Sequence, residues 1–150
     1  MRVAVHLRRA WADLPRWARW VLAVYLIGFA DGTADHVRWM THGGIHAYAP
    51  SYPQIAIQVF FVSLVVLDPL VVALVAFVRW EGIWLAAAVM ALDIAANWIG
   101  NWTRIRHDRV SDVPWLITLF GVFVLVTALP LLRVMKGSHR RVHGHPLGPV

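Results

Sequence analysis

Four aspartates, Asp31, Asp35, Asp68 and Asp93, sit inside long apolar runs, where a carboxyl group has little water to keep it ionised. An aspartate at the centre of a membrane helix costs about 2.5 to 3.5 kcal/mol, so such residues usually face a polar interior or a water-filled cavity. Carboxyls held in this way can bind a cation. They can also move a proton, when burial brings an acid toward neutrality or a neighbour sets the state of an imidazole. The candidate proton-transfer group is therefore Asp31, Asp35, His36, Asp68 and Asp93.

Their spacing suggests how they would meet. Asp31 and Asp35 are one helical turn apart, and Arg38 and His42 continue roughly the same face. Gly28 and Gly32 make a GxxxG spacing that lets another helix approach closely. His36 lies about 100° around an ideal helix from Asp35, so it joins only at an irregular helix end or in a wide pocket. In the second run Gln54, Gln58, Phe61, Val65 and Asp68 form one stripe, and Pro69 opens the hydrogen-bond ladder beside the acid. In the third, Asp93, Asn97 and Asn101 occupy successive turns. Gln58, Asp68, Asp93, Asn97, Trp98 and Asn101 are the expected ligand-binding wall. Plainer roles stay open: Asp35 pairing with Arg38 at the water boundary, Asp68 as a satisfied acid at a kink, and Asn101 bonding between helices.

Other chemistries are excluded or unsupported. Cysteine is absent, which rules out disulfides, thiolate catalysis and cysteine-based metal centres. Glycine-rich phosphate loops, a nucleophile elbow and the His-Glu-x-x-His zinc pattern are all missing. His42 and His46, and the tail residues His139, His143 and His145, are read as solvated loop and tail side chains. Neither a metal nor a cofactor is expected.

The elements that must position these groups are membrane helices. Of 150 residues, 59% are hydrophobic and 15% charged, too little polar surface for a soluble fold. Four runs, Trp17 to Trp39, Gln54 to Val78, Ile83 to Trp102 and Val113 to Leu132, are long enough to cross roughly 30 Å of hydrocarbon at about 1.5 Å per residue. The fourth carries few polar side chains, Thr118 and Thr127, and is expected to close the bundle. The expected architecture is all-α: a basic interfacial arm over residues 1–16, an integral membrane four-helix bundle over 17–136, and a flexible tail over 137–150. Thr41 to Pro53 and Thr103 to Asp112 are outer loops, and Arg79 to Gly82 is a minimal inner turn.

Charge sets the orientation. The formal charge of +6 does not call for nucleic acid, because the basic residues stand where a membrane protein needs them. Arg2, Arg8, Arg9, Arg16, Arg19, Arg79, Arg133, Lys136, Arg140 and Arg141 gather on one side; Arg38, Arg104, Arg106 and Arg109 lie on the other. The positive-inside bias then puts both termini in the cytoplasm. Trp17, Trp20, Trp80 and Trp84 mark the inner interface and Trp39, Trp98, Trp102 and Trp115 the outer one, while Trp11 stays in the basic arm at the membrane surface.

With those pieces in place, the chain resembles the EXPERA superfamily, the four-helix membrane domain of emopamil-binding sterol isomerases, over about residues 17 to 136. Leu67-Asp68-Pro69-Leu70 and the run Val71 to Arg79 are similar to that family's proline-containing second helix and its basic end. The acidic outer half of the first helix, Asp93 in the third, and Ala128-Leu129-Pro130 in the fourth add to the likeness. The resemblance implies an intramembrane cavity for a sterol-like ligand or an amphiphilic amine, with acids that bind the amine or move a proton. Asp31, Asp35 and His36 would stand near the family's helix-one polar group, and Asp93 near its helix-three acid. The usual helix-two glutamate is missing, with Gln58, Phe60 and Ser63 in that region, so Asp68 would have to substitute at another depth.

The expected function is a multi-pass membrane protein whose internal acidic pocket binds a lipophilic or cationic small molecule, with or without isomerase-like proton transfer; whether it is an enzyme stays open. The alternatives are a small transporter or proton pathway, and a structural subunit of a membrane complex or homo-oligomer. Its expected environment is membrane lipid. Thirteen arginines against one lysine favour a bacterial cytoplasmic membrane, whereas the EXPERA likeness points to the endoplasmic reticulum of a eukaryote.

Overall fold

A computed structural model describes residues 2–48, 54–107 and 114–143. Every regular element in it is a helix: α1 (Arg2–Ala12), α2 (Arg16–Tyr48), α3 (Ile55–Ala76), α4 (Trp80–His107) and α5 (Trp115–His143). Ile55–Ala76, Trp80–Trp102 and Trp115–Lys136 are long and apolar enough to cross a membrane. They stay apolar on their outer faces, where Ile55, Val59 and Val66 of α3 and Leu116, Leu119 and Val126 of α5 are exposed. A helix that is hydrophobic all round belongs in lipid, and the chain is a membrane protein. Helix α2 has the length of a span, but Arg16, Arg19, Asp31, Asp35, His36 and Arg38 make it the most polar of the four long helices.

Buried positions in α3 alternate by four and three: Ile57, Phe61, Leu64, Asp68, Val71 and Val75. That period keeps one seam turned inward along the helix. Consecutive long helices pack side by side, and α2 returns to touch α5. At the return the Tyr25 hydroxyl donates to the Val124 carbonyl at 2.7 Å and lies 3.0 Å from Thr127 Oγ1. One turn further along α2, a side chain on Gly28 would collide with the Phe120 ring, which packs edge-on against Phe29 at 5.6 Å. Glycine is therefore the residue that lets α5 close against α2 here.

Most elements run past their expected ends. Helix α2 continues through Thr41, His42 and Gly43 and breaks its helical geometry at Gly44, where φ is 63°; a left-handed backbone is inexpensive only for glycine. The outer loop is therefore shorter than expected, and residues 49–53 lie outside the described part. Helix α4 extends to His107, and 108–113 are outside. Helix α5 extends to His143, where a flexible tail from residue 137 was the expectation. Lys136, His139, Arg140 and Arg141 fall within its last turns.

The turn between α3 and α4, expected at Arg79 to Gly82, falls at Phe77–Arg79, and Gly82 belongs to the first turn of α4. The Arg79 amide donates to the Leu74 carbonyl and the Val78 amide to Val75, each at 2.9 Å, which is a Schellman closure. Its left-handed position is held by Val78 at φ 55°, a conformation costing a non-glycine residue roughly 1 to 2 kcal/mol. The compensation is packing: Val78 lies partly buried against the core. Gly82 brings α4 so near α3 that a Cβ would stand 2.8 Å from Leu74 Cβ and 3.0 Å from the Val75 amide nitrogen.

Helix α1 is docked on the same end. The Trp11 indole donates to the Ala76 carbonyl at 3.0 Å, one of the last carbonyls of α3, which has no helical donor of its own. Leu14 is buried beneath the turn into α2, and Lys136 Nζ stands 5.0 Å from the Trp80 ring centre. The arm is thus a cap on the helix ends rather than a free surface anchor.

Two substitutions test these contacts. Gly82→Ala should lower stability by about 1 to 3 kcal/mol, because the obstacle includes backbone, measured by unfolding in mixed micelles. Trp11→Phe should cost about 1 kcal/mol from the lost hydrogen bond and raise the rate of proteolysis within residues 2–14. An unchanged rate would mean that α1 is held without Trp11.

Candidate functional site

Three helices meet around Asp68. The residue is buried, with 5% of its surface exposed, and its place follows from the inward seam of α3 described above. Helix α2 admits the carboxyl through Gly32, where a Cβ would stand 2.8 Å from Asp68 Oδ2. One turn beyond Gly32, His36 Nε2 lies 3.6 Å from the same oxygen. The pair is slightly beyond hydrogen-bond length, and a small side-chain movement would close it.

Asp93 supplies the second acid, from α4. It is buried, with 7% exposed, on the helix that packs against α3. The Asn97 amide donates to Asp93 Oδ1 at 2.9 Å and to the Asp93 carbonyl at 3.0 Å. Asn101 repeats the move one turn outward, donating to the Asn97 carbonyl at 2.9 Å. The stripe from Asp93 to Asn101 is therefore a continuous polar ladder. With both amide nitrogens donating, the side-chain oxygens of Asn97 and Asn101 are left to accept from water or a ligand.

Pro69 follows Asp68 directly and has no amide hydrogen, so the Val65 carbonyl lacks its helical donor. This adds an acceptor oxygen to the wall of α3 one turn from the acid. Phe61 is buried and Gln58 half-buried on the same side.

Not every expected residue comes to this place. Asp31 and Asp35 are both exposed; Asp35 remains near enough to His36 to act on it electrostatically. The face of α2 that looks toward α3 is Gly32–His36, not Asp31–Asp35. Gly28 and Gly32 also serve different neighbours, Phe120 of α5 and Asp68 of α3, rather than one closely approaching helix. Trp98 is turned to α5, its indole donating to Thr118 Oγ1 at 3.0 Å, so the outer ends of α4 and α5 are tied by a polar contact. His42 Nδ1 lies 2.8 Å from the Arg38 carbonyl on the exposed end of α2. The side chains of His46, His139 and His143, and residue His145, lie outside the described part.

Sequence reasoning missed Gly32 as the seat of the Asp68 carboxyl, and Tyr25 as the tie to α5. A signal for the first was present, because Gly32 and His36 share the i, i+4 spacing of Asp31 and Asp35 on an adjacent face.

Chemically, the group is two carboxyls and one imidazole in a setting largely closed to water. A buried carboxylate is unfavourable unless a proton or another cation accompanies it. His36 and Asp68 can share one proton, as neutral imidazole with carboxylic acid or as imidazolium with carboxylate. Comparison with known protein families, with characterised proteins and with solved structures finds no match.

Proposed function

We propose that this chain crosses the membrane four times with both termini in the cytoplasm, and binds the cationic head of a lipophilic small molecule at His36, Asp68 and Asp93. The observation that carries this is that Asp68 and Asp93, on separate helices, are both buried, with His36 of a third helix 3.6 Å from Asp68. A bound ammonium group would neutralise the acids, and the apolar surroundings would take the rest of an amphiphilic amine or sterol-like ligand. Proton exchange with His36 would accompany binding.

A membrane-crossing α2 is supported by its place beside α3 and α5. The orientation is supported by basic residues at one end of the molecule, where α1, Arg79 and Lys136 are found. The EXPERA resemblance agrees with this reading through Asp68-Pro69 and Asp93, and the architecture it implies is part of the proposal. The arginine bias favours a bacterial cytoplasmic membrane.

A second reading, a proton or cation pathway, draws on one specific feature. The ladder Asp93, Asn97, Asn101 leads from the buried acids along α4 toward the end that carries Trp102, the pattern expected of a route to the outer surface.

Binding of a lipophilic tertiary amine to purified protein should weaken at least tenfold, about 1.4 kcal/mol, in Asp68→Asn and in Asp93→Asn. Asp31→Asn should bind as the parent does. Equal affinity in all three would overturn the pocket. In sealed vesicles, a pH-gradient-driven flux abolished by Asp68→Asn or Asn97→Leu would instead favour the pathway. Topology has its own test in intact cells: an impermeant thiol reagent should label Thr41→Cys and spare Arg79→Cys.

A further inference from the structure

Helix α1 is held by one face and presents the other. Leu7, Ala10 and Trp11 are half-buried and Leu14, just after the helix, is buried, while Val5, Arg8, Arg9 and Ala12 are exposed. Each set keeps the i, i+3, i+4, i+7 spacing of a single helix face. The bond from Trp11 to the Ala76 carbonyl fixes the level of the helix. Arg8 and Arg9 lie within three residues of Trp11, at most about 4.5 Å along the axis, and so stay close to the end of α3. Arg16 and Arg19 stand in the first turn of α2, and Arg133 and Lys136 close the apolar stretch of α5.

The chain itself supplies almost no counter-charge here. Among the described residues, no carboxylate stands within ion-pair distance of Arg8, Arg9, Arg16, Arg19, Arg133 or Lys136. Of the acids at this end, Glu81 is taken by Arg79, whose Nη2 and Nε donate to it at 2.8 and 3.1 Å, which leaves Asp13. The opposite end is balanced, with Asp31 and Asp35 against Arg38 and Arg106 among the described side chains. A surface of one sign is complemented by the other sign, and a second copy of the same surface would only repel it. Trp17 and Trp20 stand among these cations, 44% and 75% exposed. Indoles so placed belong at the boundary between headgroups and acyl chains, so the anion that fits here is one that carries its own hydrocarbon.

We propose that the surface formed by α1 and the adjoining ends of α2 and α5 binds anionic phospholipid, with the basic side chains on the phosphate and Trp17 and Trp20 against the glycerol and upper acyl chains. Clusters of about four to eight basic residues beside a membrane helix attract anionic headgroups. A planar guanidinium adds geometry to the charge, since it gives two N–H donors to one phosphate group. Docking of α1 is what turns a basic arm into a site. Trp11 and Leu14 hold Arg8 and Arg9 at headgroup level before lipid arrives, so little freedom is lost when it binds. This end of the molecule therefore draws anionic lipid out of a mixed leaflet, and the opposite end does not.

The site is independent of what binds at Asp68 and of which side of the membrane this end faces. The tagged full-length chain, purified in mixed micelles holding equal amounts of phosphatidylglycerol and phosphatidylcholine with identical acyl chains, should retain the anionic lipid over the zwitterionic one by roughly threefold or more, read by mass spectrometry of the copurified lipid. That ratio should fall toward unity when Arg8→Gln and Arg9→Gln are combined, and when Arg16→Gln and Arg133→Gln are combined; all four positions are exposed, where substitution leaves the fold intact. Arg38→Gln at the opposite end and Asp68→Asn in the interior should keep the parent's ratio. Equal retention of both lipids by the parent, a ratio that survives both paired variants, or an equal loss in Arg38→Gln would overturn the proposal. Excess soluble glycerol phosphate should leave the lipid bound; its displacement would mark a site for free anions and sink the lipid assignment.

Discussion

Asp68 has to be kept away from lipid, and α2 and α3 are arranged around that requirement. Its position on α3 is set by the same four-three alternation that buries Phe61, Leu64 and Val71, so the helix cannot turn the acid outward without exposing its own core. Gly32 gives the carboxyl room, His36 stands against it, and Asp93 is buried on the neighbouring α4. An unpaired carboxylate in such surroundings would cost several kcal/mol. The three helices therefore share one electrostatic problem, and any ligand, proton or ion that enters is accepted on its terms.

The opposite end is fixed by backbone rather than by charge. Close packing at Gly82 and the Schellman closure through a strained Val78 join α3 to α4 with almost no loop. Trp11 then covers the Ala76 carbonyl that the end of α3 leaves without a helical donor. Beyond Phe29, α2 contributes no buried apolar side chain among the described residues, and Gly44 breaks its helical geometry.

Much of this was legible in the residues themselves. Long apolar runs announce helices whatever their tertiary partners, and Asp68, Asp93 and Asn97 stand out because nothing around them is polar. The rotation of α2 was not legible. It carries polar groups on two adjacent faces, Asp31–Asp35 and Gly32–His36, and an ideal wheel treats both as possible interiors. The choice between them depends on a neighbour: only the glycine face can admit a carboxyl from α3 at 2.8 Å from where a Cβ would be. Helix ends were misjudged for a related reason, since Thr41, His42 and residues 103–107 are polar enough to read as loop while nothing in them stops a helix before Gly44 or residue 108. Tyr25 was invisible because an aromatic in an apolar run announces only burial, and its hydroxyl matters through α5.

The two groups of acids then have different physical meanings, although composition makes them look alike. Asp68 and Asp93 are enclosed by their own chain, with partners at 3.6 Å and 2.9 Å. Internal charge can be relieved by something small that fits between helices. Asp31 and Asp35 lie exposed on α2, away from that enclosure. Membrane helices gain little from apolar contact with one another, since lipid tails are equally apolar. Polar residues left on an outer face are thus the groups best able to specify association, as the inward ones are best able to specify a ligand.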